Sequence, residues 1–160
     1  MKKYSLCIFL FLTAVLLIGC RADISAYADT PILVTGLPSG DRTVTPAELA
    51  ELDCTSATAV GKSAKAGTVN AWGPTLETFL AFCGVSLDEV RYVRFYAGDG
   101  YSVSVGAKVW DKYPVILSVA NGNRPLEEGQ QPLRVVIPDG PSSNWVRFVT
   151  EIAVTMEETP

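Results

Sequence analysis

Asn121-Gly122-Asn123, followed shortly by Leu133-Arg134-Val135-Val136-Ile137, is the stretch on which the reading of this fold turns. Asn-Gly is a strong turn signal, and the β-branched run after it reads as a buried strand. Working outward, Pro114 to Ala120 is a strand before that turn, and Trp145 to about Met156 is the last strand. Arg91 to Ala97 and Tyr101 to Val105 alternate around Gly98-Asp99-Gly100, which predicts two strands joined by a turn. Further upstream, Cys54 to Val60 and Ala66 to Trp72 are strands about a hairpin tip at Gly61-Lys62-Ser63. Ile32 to Thr35 is a short strand, and residues 36–41 form a turn.

Helices interrupt this pattern. Thr45-Pro46-Ala47-Glu48 combines an N-cap, a proline at the first helical position and a capping box, predicting a helix over Pro46 to Leu52. Gly73-Pro74-Thr75 breaks the preceding strand and opens a second helix, Leu76 to Cys83, which Gly84 stops. Ser86-Leu87-Asp88-Glu89 is a further capping box, long enough for one turn. The expected fold class is α+β: a strand-rich, mixed-sheet sandwich with two or three short helices.

The N-terminus is of another kind. Met1-Lys2-Lys3 precedes an apolar run from Leu6 to Ile18, then Gly19-Cys20. A basic start and a short apolar stretch make a secretory signal, too short for a comfortable membrane span. Leu17-Ile18-Gly19-Cys20 matches a bacterial lipobox, in which Cys20 forms the thioether to diacylglycerol. Residues 1–19 are therefore expected to be a signal peptide, and residues 20–30 a lipidated cysteine and tether. Residues 31–160 are expected to form one domain, exported, anchored to the bacterial membrane and facing the periplasm or cell exterior.

Composition excludes several functions. The net charge is −4 without a strong charge block, which argues against nucleic acid as a partner. No histidine occurs, which removes His-based acid–base chemistry and most zinc sites. Besides Cys20 the mature chain holds only Cys54 and Cys83, too few for a four-thiolate site; a disulfide and two separate buried thiols are both open. Gly61-Lys62-Ser63 lacks the earlier glycine of a phosphate loop, since Ser56 stands there. No lysine follows a serine by three positions, so a Ser–Lys nucleophile is absent. Glu127-Glu128 reads as a solvated pair, and most of the aromatic residues as packing, with an aromatic-lined ligand groove as the alternative.

Several pieces fall in a known order. Trp72-Gly73-Pro74-Thr75-Leu76, Phe79-Leu80 and Cys83-Gly84-Val85 resemble the turn-and-helix segment of the oxidoreductase molybdopterin-binding domain. Asp99-Gly100-Tyr101, Asn121-Gly122 with Pro125-Leu126, Gly129, Pro132-Leu133-Arg134-Val135-Val136 with Pro138, and Val146-Arg147-Phe148-Val149 with Ile152 are similar to its later motifs. The resemblance spans about Thr43 to Val154. It implies a mixed α+β sandwich and a family that includes sulfite oxidases and periplasmic protein-methionine-sulfoxide reductases.

The departures bear on function. Catalytic members ligate molybdenum with a cysteine thiolate, and counting back from Gly73 places it near Gly61, where no cysteine stands. Cys54 lies several residues too early. The family's histidines and most of its basic residues are missing, with Arg134 and Arg147 surviving at matching positions. The resemblance thus implies a non-catalytic ligand-binding or accessory lipoprotein without cofactor, its pocket near Trp72, Asp99, Tyr101, Asn121, Arg134 and Arg147. The alternative is a minimal molybdopterin-dependent oxidoreductase with Cys54 as the metal ligand. An interaction domain at the cell surface is a third reading.

Overall fold

A computed structural model describes residues 22–61 and 67–157; the predicted signal peptide, Cys20, and Lys62 and Ser63 of the hairpin tip lie outside these residues. In chain order the elements are β1 (Ile32–Thr35), β2 (Arg42–Val44), α1 (Pro46–Ala50), β3 (Cys54–Val60), β4 (Thr68–Pro74), α2 (Leu76–Phe82) and β5 (Val90–Ala97). They continue with β6 (Ser102–Gly106), α3 (Ala107–Trp110), β7 (Ile116–Ser118), β8 (Ala120–Asn121), β9 (Arg124–Pro125), β10 (Arg134–Val136) and β11 (Val149–Met156).

One sheet runs β2-β1-β11-β5-β6, with β1 parallel to β11 and every other pair antiparallel. A second runs β3-β4-β8-β9, and β7 pairs with β10 as a ribbon. Period-2 alternation explains the first sheet's buried face: Ile32, Val34, Val93, Phe95, Ile152 and Val154 all point inward and are buried. The architecture is the expected α+β arrangement of mixed sheets, with three short helices among the described residues.

Local chemistry sets the helix ends. The Glu48 N–H donates to Thr45 Oγ1 at 3.2 Å, and the Thr45 N–H donates to Glu48 Oε2 at 2.8 Å, closing the predicted capping box. Helix α1 is shorter than predicted and gives way at Glu51. Helix α2 buries Leu76, Phe79 and Leu80, the i, i+3, i+4 face, and turns away at Gly84 with φ +78°. The turn at Leu87–Glu89 forms as expected, the Ser86 N–H donating to Glu89 Oε2 at 2.8 Å.

Four local expectations change. Gly73-Pro74 does not break its strand, because the ladder runs on to Cys54↔Pro74 and ends only at the helix cap Thr75. Pro114 to Ala120 is not one strand: the chain leaves the β10 partner after Ser118 and joins β4 from Ala120. The last strand starts at Val149 rather than Trp145, because Phe148 takes a left-handed φ of +57°. Its N–H donates to the Gln130 carbonyl at 3.2 Å, and its carbonyl accepts from the Gly98 N–H at 2.9 Å.

The fourth change concerns the expected tether. Ala22 to Thr30 reads as a loose, small and polar link, yet Tyr27 within it is buried and Ile24 packs against the core. The packed domain therefore takes in residues from Ile24 on, ahead of its expected start at 31.

Candidate functional site

Arg134 is the buried charged residue of the described core, 4% exposed at the start of β10, where its chain neighbours Leu133, Val135 and Val136 are fully buried. Its Nη1 donates to Gln130 Oε1 at 3.0 Å, and the guanidinium lies over the Trp145 ring, 5.7 Å from its centroid. Burial pushes the Arg134 pKa down, and the positive charge of Arg147 adds to this; the Glu127 carboxylate works the other way. The two predicted basic positions thus share one electrostatic neighbourhood, the first buried and the second exposed on the surface.

The other predicted residues reach this place only in part. Trp72 is linked to it through Ser118: the Trp72 N–H donates to Ser118 Oγ at 3.1 Å, and Ser118 stands opposite Arg134 in the ribbon. Tyr101 reaches across to the same segment as Trp145, its hydroxyl donating to the Ser143 carbonyl at 2.8 Å. Asp99 and Asn121 each hold a backbone N–H. Asp99 Oδ1 accepts from the Tyr101 N–H at 3.1 Å and so closes the turn, while Asn121 Oδ1 accepts from the Asn70 N–H at 2.9 Å.

Cys54 stands at the start of β3, half-buried, with its thiol donating to the carbonyls of Leu49 at 3.5 Å and Ala50 at 3.9 Å. It is not joined to Cys83 in a disulfide. Burial pushes the Cys83 thiol pKa up, with Arg42 acting against it. Two clefts lie along α2, and neither is lined by Trp72, Asp99, Tyr101, Asn121, Arg134 or Arg147. One of about 120 Å³ is lined by Leu76, Leu87, Trp110 and Tyr113 among others, and a wider one by Glu77, Ala81 and Val85 to Leu87.

Sequence reasoning missed Tyr27, and only its ring among small residues could have marked it. Its hydroxyl donates to the Val119 carbonyl at 2.8 Å and accepts from the Leu126 N–H at 2.9 Å. Tyr27→Phe strands two buried backbone groups and should cost about 1–3 kcal/mol in a urea melt at neutral pH. Burial raises the Tyr27 pKa above its ordinary 10.0; the Leu126 hydrogen bond lowers it and Asp23 raises it, with the net shift upward. A folded-state pKa above the unfolded one gives stability that is complete below the unfolded value and is lost as pH climbs through the folded value. Stability should therefore fall in melts above pH 10.0, and Tyr27→Phe should make that fall shallower. An unchanged alkaline slope in the variant would count against a buried, doubly bonded hydroxyl.

The fold and the order of its motifs agree with comparisons against known proteins. The chain superposes on the sulfane dehydrogenase SoxCD from Paracoccus pantotrophus with a TM-score of 0.67 at 18% sequence identity. That match covers 81% of this chain and 39% of the other, so this chain spans about two-fifths of the dehydrogenase chain. None of the curated proteins matches the sequence. A family model, the oxidoreductase molybdopterin binding domain, matches residues 34–160, nearly the whole packed domain. This chain belongs to the oxidoreductase molybdopterin-binding domain family.

Proposed function

We propose that this protein is a membrane-anchored extracytoplasmic lipoprotein whose domain binds an anionic ligand between Arg134 and Arg147 and has given up molybdenum chemistry. The N-terminal run ending in Gly19-Cys20 supports anchoring and export. The observation that carries the binding reading is Arg134 itself. A guanidinium buried in a strand beside a second cation is costly, and negative charge nearby lowers that cost. Gln130 and the Glu127 charge act in that direction, and an anion reaching both arginines would be held by two cations at once. Arginine pairs suit carboxylate, sulfate or phosphate because the guanidinium offers donors in a planar fork.

The residues present do not fit the metal end of the family's cofactor. The Cys54 thiol is turned toward two carbonyl oxygens, and a thiolate so placed would be repelled by them. Among the described residues no three His, Cys, Asp or Glu side chains converge, and the whole chain has no histidine. The family chemistry that the arginines do suit is recognition of the pterin phosphate, or of another anion of that size.

The test is metal and pterin content. The chain, made in its native host or in one that supplies molybdopterin, should contain no molybdenum, and Cys54→Ser should change nothing. Metal near one per chain that disappears in Cys54→Ser would overturn this reading. It would make Cys54 a molybdenum ligand and the protein a minimal molybdopterin-dependent oxidoreductase.

A further inference from the structure

Ile24 to Thr30 are tied into the domain at both ends. Ile24 packs on the core, the Tyr27 N–H donates to the Ile24 carbonyl at 3.0 Å, and the Thr30 N–H donates to the Tyr27 carbonyl at 3.1 Å. The Ala47 N–H, in α1, donates to the Ala28 carbonyl at 3.0 Å. The Tyr27 hydroxyl then bridges Val119 and Leu126. From Leu126 the contacts continue toward Arg134. The Leu126 carbonyl accepts from Gln131 Nε2 at 2.8 Å, the Gln130 N–H donates to the Glu127 carbonyl at 2.8 Å, and Gln130 Oε1 holds Arg134.

We propose that this segment is a rigid strut and that the lipid bilayer is the partner of the domain end it supports, so that the Arg134 site stands at the membrane surface. The inference rests on the proposed anchoring through Cys20. From Cys20 to the first packed residue, Ile24, is four residues, which span at most about 14 Å when fully extended. A loose tether reaching to Thr30 would instead leave the domain free to turn at a root-mean-square distance of about 18 Å. The strut fixes which end faces lipid. Hydrogen bonds join that strut to Leu126 and, through the Glu127 to Gln131 loop, to Gln130 beside Arg134, so in this proposal an anion held there is met at the headgroup level.

The experiment uses the full lipidated chain in phosphatidylcholine vesicles carrying a dansyl-labelled lipid, with energy transfer from the native Trp72, Trp110 and Trp145. A variant with twenty Gly/Ser residues inserted between Ala22 and Asp23 adds a flexible link of about 25 Å root-mean-square length. The expected result is efficient transfer in the natural chain and a marked loss in the insertion variant, with both chains remaining on the vesicles. Equal transfer in the two, with both still bound, overturns the strut while leaving anchoring intact. Anchoring has its own readout: the natural chain should sediment with vesicles and Cys20→Ser should not. A natural chain that stays in solution would overturn the anchoring reading and the bilayer as partner together.

Discussion

Gly73→Ala should cost the domain about 3 kcal/mol, roughly 10 °C in melting temperature, in a thermal or urea melt. Gly73 is buried in β4, and a Cβ there would run into the Leu117 carbonyl oxygen of β7, with Leu117 C at 2.9 Å and Ser118 Cα at 3.1 Å. Those are backbone atoms of a strand that pairs with β10 on its other side, so neither partner can give way without moving the ladder. Gly98→Ala is the matched control. Its added Cβ meets ring atoms of Phe148 at 2.6 Å, but that ring is 39% exposed and can swing into solvent. The cost there should stay below about 1 kcal/mol. Equal losses in the two variants would show that close backbone approach between β4 and β7 is not what makes glycine necessary at 73. The consequence reaches the site, because the same approach places Ser118 between Trp72 and Arg134.

Arg134→Met should leave stability unchanged or raise it, while phosphate affinity falls about tenfold to a hundredfold in a calorimetric or NMR titration. Methionine keeps much of the side-chain volume and removes the desolvated charge, which relieves the cost of burial beside Arg147. It also removes the planar donor group that an anion would require. Arg134→Lys should fall between, since it keeps charge and loses the fork. The opposite pattern would be equally informative. A loss of several kcal/mol with phosphate affinity untouched would make Arg134 a pin that holds Gln130 and Trp145, and the anion-binding proposal would fail.

The fold was legible wherever local pattern alone decides structure. The capping box Thr45-Pro46-Ala47-Glu48, the apolar face of α2 and the alternation through Arg91 to Ala97 each formed in place, because their causes lie within a few neighbouring residues. The ordered motifs from Trp72 to Val149 likewise suffice to name the family, since their sequence order is independent of how the segments pack. The site was only half legible. Arg147 acts electrostatically on the buried Arg134, while Asp99 and Asn121 each accept a backbone N–H, and neither relation can be read from local pattern.

Sequence by itself determined the α+β class, most strand and helix positions, the absence of histidine chemistry, and the expectation of an anchor at Cys20. Tertiary structure alone decided that Tyr27 belongs to the core, that the Pro114 to Ala120 run divides between two partners, and that Trp145 to Phe148 stays out of the last strand. The physical reason is distance along the chain. Tyr27 is fixed by groups 92 and 99 residues away, and Phe148 by carbonyl and amide groups from Gln130 and Gly98. Local periodicity carries no record of such partners; they become visible only when packing has brought the segments together.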